Sequence, residues 1–109
     1  MTVNPRDEAH PNHHDIAVLL TRVNMYNITS GRTLLGKAYR NSACNANFSC
    51  AICKDMGLIL SVVVAHEIGH MVGCRHDNGI DTNCTRMADN VNFYVMSPSA
   101  SMATSSWSS

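Results

Sequence analysis

The stretch from His66 to Asp77, which reads HEIGHMVGCRHD, decides how this 109-residue chain is interpreted. Residues four apart share one face of a helix, so His66 and His70 can present two imidazole nitrogens to a single metal ion. Gly73 can adopt the left-handed conformation that ends a helix, after which the chain can turn back and present His76. Three protein ligands with an open fourth position are typical of catalytic zinc, whereas structural zinc sites are usually closed by four ligands. The spacing therefore predicts a zinc site formed by these three histidines.

Glu67 lies beside the first predicted ligand and is not itself needed to hold the metal. Its carboxylate would be close enough to a water at the open position to accept a proton, so we predict that Glu67 is the general base. A short HExxH match can arise by chance on a helix. The longer pattern H-E-x-x-H-x-x-G-x-x-H, followed by a Met-turn, is the metzincin signature.

Met96, within the segment YVMSP from Tyr94 to Pro98, is the candidate for that Met-turn. In metzincins a methionine in this place lies beneath the zinc ligands as an apolar floor. The chain contains seven methionines, and most methionines in proteins fill irregular gaps in cores. The order and distance of Met96 relative to His76 distinguish it from the others.

Further segments resemble the reprolysin branch of the metzincins, which comprises the adamalysin, ADAM and ADAMTS proteases. Asp77 follows the third histidine directly, and the segment from Gly36 to Tyr39 resembles the G-L-A-Y segment that those enzymes place on the sheet edge beside the active site. The segment from His14 to Thr21 resembles their preceding strand. The resemblance runs from about His14 to Trp107. Features on the ADAMTS-like side are Ser49, Cys50, Asp55, Gly57, Leu58, Asn83 and Cys84, and departures from the usual pattern are Lys37, Cys53 and Cys74.

The resemblance implies an α/β fold: a partial metzincin catalytic domain with a mixed sheet remnant, a buried active-site helix and a Met-turn. We interpret residues 1–14 as a polar lead-in and residues 15–109 as the C-terminal half of a reprolysin-like catalytic domain. The implied activity is zinc-dependent endopeptidase action on extracellular proteins, with Glu67 as base and a substrate strand paired along Thr33 to Tyr39. The alternative is a truncated or degenerate metzincin that holds zinc as a binding module without turnover. Retention of Glu67 favours the enzyme, since that residue has no role as a metal ligand.

The same resemblance also suggests a second metal site. In reprolysins an aspartate at the start of this strand contributes to a structural calcium site, which makes Asp15 a candidate calcium ligand. The other ligands of that site would come from segments outside this chain. The nearby His10, His13 and His14 lie on a Pro- and Asn-containing lead-in and are more simply interpreted as solvated.

Composition restricts the partners. Apolar residues make up 45% of the chain and its formal net charge is zero, so nothing indicates binding to nucleic acid or to an anionic membrane. No apolar run is long enough to span a bilayer, and the N-terminus lacks the hydrophobic segment of a signal peptide. The expected partner is a protein or peptide substrate, and the sequence does not predict the oligomeric state. The extracellular location is inferred from the family resemblance.

The five cysteines, Cys44, Cys50, Cys53, Cys74 and Cys84, allow several interpretations. They could be reduced and buried, since a free cysteine packs as a small hydrophobe, and the CxxC at 50–53 could be a redox or metal pair. We expect an extracellular disulfide framework, because secreted small domains use disulfides to offset limited cores. Three glycosylation sequons, which begin at Asn27, Asn47 and Asn83, agree with that expectation.

Hydrophobic patterning predicts few regular elements. The Val62–Val64 run favours a strand by propensity, but the histidines four apart and the length of the segment indicate a helix. Because this helix is apolar all round, we expect it to be buried through the centre of the domain. The predicted elements are a strand at 15–21, a turn at 27–32, a strand at 33–39, a cysteine-bearing loop at 41–55, the active-site helix at 57–72 and a polar loop at 77–93.

Overall fold

A computed structural model describes residues 8–77 and 95–97. Within these residues the chain forms a mixed α/β fold, which confirms the predicted fold class. The elements are β1 (Ala17–Thr21), β2 (Met25–Tyr26), β3 (Thr33–Leu34), β4 (Gly36–Ala38), β5 (Cys50–Lys54) and α1 (Leu60–Met71).

The principal sheet has the strand order β1-β5-β4, with β5 in the centre. Strand β5 runs parallel to β1 and antiparallel to β4, in a register that pairs Gly36 with Cys53 and Ala38 with Ala51. Paired residues on neighbouring strands lie on the same face of a sheet, so these four small residues share one face. Helix α1 contacts both β4 and β5. Ala51 and Cys53 are buried at 2% and 0% exposure, which places the core between this face and the helix.

The central strand lies inside the segment that we predicted as a cysteine-bearing loop, Asn41 to Asp55, so that prediction was wrong for residues 50–54. The sequence CAICK does alternate between buried and partly exposed positions along β5, as a strand with one covered face should. The two cysteines of this segment also suit a disulfide or a metal site, so residue types alone do not identify it as a strand. Pairing with a neighbour on each side, which no local pattern reports, is what makes this segment a strand.

The predicted strand from Thr33 to Tyr39 is also corrected. It is interrupted at Leu35 and contributes to two sheets, because β3 pairs with β2 in a separate two-stranded sheet while β4 joins the principal sheet. The Leu35 carbonyl accepts a hydrogen bond from Lys54 N at 2.7 Å, which holds the interruption against the end of β5. The first strand begins at Ala17, two residues later than predicted.

Helix α1 is shorter than the predicted range from Gly57 to Val72. Gly57 has a φ of +85° and lies in the turn that leads into the helix, and the Gly57 carbonyl accepts a hydrogen bond from Leu60 N. At the other end Gly73 has a φ of +105°, the left-handed conformation that was predicted for the helix terminus. Residues 62–64 are helical, so tertiary packing overrides their strand propensity.

Burial along α1 follows one stripe rather than the whole circumference. Val63, Glu67 and Met71 are the buried residues of the helix, spaced four apart, and they form the face that packs on β4 and β5. The expectation of a helix buried all round is therefore not met by the described residues, which cover one side. Within 8–77 and 95–97, no helix has the length and apolar character needed to cross a membrane.

The segment after β4 closes the C-terminal end of α1. Asn41 N donates to the His70 carbonyl at 2.8 Å, and Ala43 N donates to the Met71 carbonyl at 3.0 Å. The last carbonyls of a helix lack partners within the helix, so these two bonds satisfy groups that would otherwise need water. They also hold the turn that carries His70 at a defined place relative to β4.

Candidate metal centre

The structure brings together the three histidines of the opening motif. The Nε2 atom of His76 lies 3.1 Å from Nε2 of His66 and 3.0 Å from Nε2 of His70. The three ligand atoms all lie within 4.8 Å of one another. The helix supplies the first two rings, and the turn after Gly73 brings the third towards them.

Backbone carbonyls orient two of the rings from behind. Nδ1 of His66 lies 2.7 Å from the Val95 carbonyl, and Nδ1 of His70 lies 2.9 Å from the Cys74 carbonyl. A carbonyl oxygen can only accept, so each Nδ1 must carry the hydrogen and donate it. In a neutral imidazole the Nε2 atom then has the free lone pair, and these lone pairs face the common centre.

Burial favours the neutral form of His66 and His76. Desolvation lowers the pKa of His66, and the neighbouring His70 and His76 act in the same direction, against the Val95 carbonyl and Asp77. Desolvation also lowers the pKa of His76, with His70 adding to the effect. Neutral imidazole is the form of histidine that binds metal ions.

The donor set fits zinc. Zinc–nitrogen bonds of 2.0–2.1 Å at tetrahedral angles separate two ligand nitrogens by about 3.3 Å, and the observed separations of 3.0 and 3.1 Å are close to that value. Lone pairs that face one another at this distance repel unless a cation or a proton lies between them. Three imidazoles are a donor set that suits zinc among the divalent metals.

Glu67 lies next to this cluster but faces the sheet. Its exposure is 6%, and no donor among the described residues forms a hydrogen bond with its carboxylate. Desolvation raises the pKa of Glu67, and the neighbouring His70 and Lys37 partly offset this effect. A buried carboxylate with a raised pKa is suited to proton transfer near neutral pH.

Met96 packs against the helix at Gly69, between the first two histidines in sequence. A Cβ atom added at Gly69 would meet the Met96 thioether sulfur, and the terminal methyl carbon would lie 3.2 Å away. The Met96 carbonyl accepts a hydrogen bond from Asp77 N at 2.8 Å, directly after the third histidine. The segment 95–97 thus contacts both the helix and the third histidine's turn, as expected of a Met-turn.

The calcium prediction at Asp15 receives no support. The Asp15 side chain is 95% exposed, and its carboxylate lies 3.7 Å from His13 Nε2. In the part of the chain that the structure describes, the only group of three or more potential metal ligands is the cluster at residues 66, 70 and 76. The lead-in histidines therefore form no second cluster there.

The predicted disulfide framework is also absent from the described cysteines, since Cys44, Cys50, Cys53 and Cys74 are all free thiols. Cys50 and Cys53 are three apart in one strand, so their side chains lie on opposite faces with Cα atoms about 10 Å apart. A disulfide needs Cα atoms within about 7 Å, which excludes closure of this CxxC. Cys84 lies outside the described residues.

Comparison with known proteins agrees with this geometry. A sequence profile described as "Metallo-peptidase family M12" matches residues 4–108. The chain belongs to the M12 family of metallopeptidases. A disintegrin and metalloproteinase with thrombospondin motifs 20 from Homo sapiens is 37% identical over 107 residues, which is 98% of this chain and 5% of the relative.

Two other relatives of the same type extend this result. A disintegrin and metalloproteinase with thrombospondin motifs 13 from Homo sapiens is 36% identical over 76% of this chain and 6% of its own length. The gon-1 protein from Caenorhabditis elegans, also named as a disintegrin and metalloproteinase with thrombospondin motifs, is 33% identical over 96% of this chain. The chain therefore spans about a twentieth of the length of these M12 relatives. They confirm the resemblance to the ADAMTS branch.

Sequence reasoning missed three parts of the site. The carbonyls of Val95 and Cys74, which orient two rings, are backbone atoms and carry no residue-type signal. Gly36 belongs to the segment that the resemblance places beside the active site, but its contact with the Glu67 carboxylate is revealed only by the distance between strand and helix. A glycine in a strand often marks a close approach, which is the sequence signal that could have suggested this contact.

Proposed function

We propose that this chain contains the zinc site and the general base of an M12 endopeptidase that hydrolyses peptide bonds of extracellular proteins. The observation that carries the proposal is the convergence of three imidazole Nε2 atoms, two of them oriented by backbone carbonyls, beside the buried carboxylate of Glu67. Three nitrogen ligands and an adjacent carboxylate form the donor set of a hydrolytic zinc site rather than a closed structural one.

The residues have separate roles in this proposal. His66, His70 and His76 would hold zinc as neutral imidazoles through Nε2. When bound, zinc supplies the Lewis acidity that lowers the pKa of a water and polarises a peptide carbonyl. Glu67 accepts the proton of the attacking water at a carboxylate oxygen and passes it to the leaving amine. The raised pKa of Glu67 makes its carboxylate a stronger base than an ordinary exposed carboxylate, which favours the first of these transfers.

The substrate would bind along β4. Among the described strands, β4 pairs with β5 only, so its other edge has free backbone groups to which an extended peptide could add. The predicted binding edge from Thr33 to Tyr39 is reduced to the three residues Gly36–Ala38. Because Gly36 borders Glu67, a peptide paired there would lie next to the base.

The extracellular setting is part of the same proposal. It is supported by the M12 resemblance and by the exposed position of Asn47, the acceptor residue of one sequon, although Ser49 of the same sequon is buried. Retention of a buried Glu67 argues against the alternative, a zinc-holding module without turnover. Burying a carboxylate is costly, and a module that only held zinc would not need one there.

The test compares two glutamine variants in the longest native form of the protein that contains this chain. Glu67→Gln keeps the side-chain shape but removes the base, so zinc content should stay the same while hydrolysis of an unfolded protein substrate falls by about 10^2 to 10^4-fold. Glu8→Gln, at an exposed position of the lead-in, is the matched control and should retain activity.

Two outcomes would overturn the proposal. Unchanged, chelator-sensitive turnover in the Glu67→Gln variant would remove Glu67 from the mechanism. Full zinc content without hydrolysis in the unaltered protein would favour the non-catalytic module instead.

A further inference from the structure

We infer that Gly36 is a positioning residue for Glu67: the missing side chain at this point of β4 leaves the space in which the carboxylate of the base lies. The catalytic consequence of this contact rests on the proposed function, whereas the contact itself is a property of the fold. Gly36 needs no contact with the metal or the substrate side chains for this role.

The distances show how closely the two residues approach. A Cβ atom built on Gly36 would lie 2.6 Å from Oε1, 2.8 Å from Cγ and 2.9 Å from Cδ of Glu67. All three separations are shorter than real Cβ atoms adopt, and they extend along the outer half of the side chain. Rotation of the carboxylate alone would therefore not relieve the clash, because Cγ would have to move as well.

Neither residue can move away easily. Gly36 is paired with Cys53 on the central strand, and Glu67 lies in the middle of the buried stripe of α1. The helix end near it is tied to the segment after β4 through the hydrogen bond from Asn41 N to the His70 carbonyl. Strand and helix thus form a fixed gap, and the side chain of Glu67 occupies it.

Backbone conformation does not explain the glycine. The described glycines with positive φ are Gly31, Gly57 and Gly73, and Gly36 is not among them. Its backbone is therefore open to any L-residue, and a glycine inside a strand is less stable than alanine by about 0.5–1 kcal/mol. The requirement for glycine comes from the neighbouring carboxylate.

The other positions of β4 tolerate side chains. Ala38, on the same face as Gly36, carries a Cβ opposite Ala51, and Lys37 is exposed. The steric restriction thus applies to the one position that faces the base. Misplacement of a reacting group by about 1 Å can cost on the order of 10^2-fold in rate.

The first experiment measures thermal unfolding of the zinc-loaded 109-residue chain in three backgrounds. Gly36→Ala should lower the Tm of the unaltered chain by about 5 °C or more. In a Glu67→Ala background the space is vacant, so the same change should leave the Tm unchanged or raise it. In a Glu67→Gln background, where shape is kept and charge is lost, the loss of Tm should return. Equal losses in all three backgrounds would show that Gly36 acts through the strand alone and would overturn the inference.

A second readout serves if the thermal transition is too broad. Cys53 is buried and paired with Gly36, so its alkylation rate in the folded chain reports opening of this contact. Gly36→Ala should accelerate alkylation of Cys53 in the unaltered chain, but the same change made in the Glu67→Ala background should leave the rate of the Glu67→Ala variant unchanged. The Glu67→Ala variant is the reference because loss of the Glu67 charge by itself lowers the pKa of Cys53. An equal acceleration by Gly36→Ala in both backgrounds would contradict the inference, whatever the chain's activity.

Hydrolysis by the longest native form completes the test. If Gly36→Ala acts through Glu67, kcat should fall by about 10^2-fold with little change in KM and with zinc content preserved. A rise in KM with kcat unchanged would assign Gly36 to the binding edge instead.

Discussion

At the scale of single residues, two backbone carbonyls hold the orientation of the His66 and His70 rings from the side opposite the common centre of the cluster. The Val95 and Cys74 carbonyls accept hydrogen bonds from Nδ1 of His66 and His70, which leaves their Nε2 atoms free. Such outer partners commonly raise metal affinity and hold the ring orientation. The loss of one ring would therefore remove a ligand that is already oriented for binding.

The first prediction concerns zinc content. His70→Ala should lose most bound zinc, because two nitrogen ligands hold the metal far more weakly than three. His10→Ala, at an exposed histidine of the lead-in, should keep the zinc content of the unaltered chain. Metal analysis after dialysis against zinc-free buffer measures the difference. Equal zinc in both variants would exclude the cluster as the binding site.

The second prediction concerns the thiol of Cys53, in the central strand covered by α1. Burial, and secondarily the charge of Glu67, raises the pKa of Cys53 from 9.0 to about 11, so its thiolate is about a hundredfold scarcer than that of an ordinary cysteine. At pH 8 an alkylating reagent should modify the exposed Cys44 and Cys74 first and Cys53 only after unfolding. Mass spectrometry of digested samples taken over time gives the order. Early labelling of Cys53 in the folded chain would contradict the structure of β5 and α1.

At the scale of elements, α1 joins the two halves of the site. One face of the helix places Glu67 against β4. Met96 packs against the helix at Gly69, in the turn between His66 and His70. Glycine in the middle of a helix is less favourable than alanine by about 1 kcal/mol. Its presence at position 69 is explained by the close approach of the methionine.

The third prediction concerns Gly69, where we expect the contact with Met96 to outweigh the higher helix propensity of alanine. Gly69→Ala should lower the unfolding midpoint in urea and weaken zinc binding in competition with a chelator, because the new Cβ displaces Met96. In the Met96→Ala background the same change should be neutral or stabilising, since the clash is gone and alanine favours the helix. Stabilisation by Gly69→Ala in the unaltered chain would show that Met96 does not pack there.

At the scale of the whole molecule, the described residues form a thin core. The buried hydrophobic side chains are Ala51, Cys53, Val63 and Met71, while Leu20 and Leu58 are 53% and 86% exposed. Among the described strands β1 pairs only with β5, which leaves an open edge on the strand that carries the exposed Leu20. Open edges and exposed apolar surface favour association.

The fourth prediction is that the 109-residue chain alone is weakly stable and depends on zinc. Zinc at about a hundredfold above its dissociation constant should stabilise the folded form by about 2.7 kcal/mol, which corresponds to a rise in Tm of about 10 °C or more. The His70→Ala variant should lose this shift, and light scattering should detect association of the zinc-free chain. A monomer with a sharp, zinc-independent transition at high temperature would contradict this prediction.

The local parts of the site could be predicted from the sequence. The histidines at 66 and 70 share a helix face through the 3.6-residue period, and Gly73 adopts the left-handed conformation that its lack of a side chain permits. The order of Met96 after His76 was sufficient to nominate the Met-turn. The first two features depend only on residues close in sequence. The Met-turn could be nominated because the long histidine motif followed by a methionine is typical of few folds other than the metzincin fold.

Only the tertiary structure decided the remainder. Residues 50–54 form the central strand because β1 and β4 pair with them on either side, and strand pairing is set by partners distant in sequence. The need for glycine at position 36 arises from the gap between β4 and α1, which no local pattern measures. The sequence by itself determined which residues could hold a metal and accept a proton, since chemistry depends on residue type. The packing of strand against helix determined where the carboxylate of Glu67 lies, since steric exclusion acts between atoms that only the fold brings together.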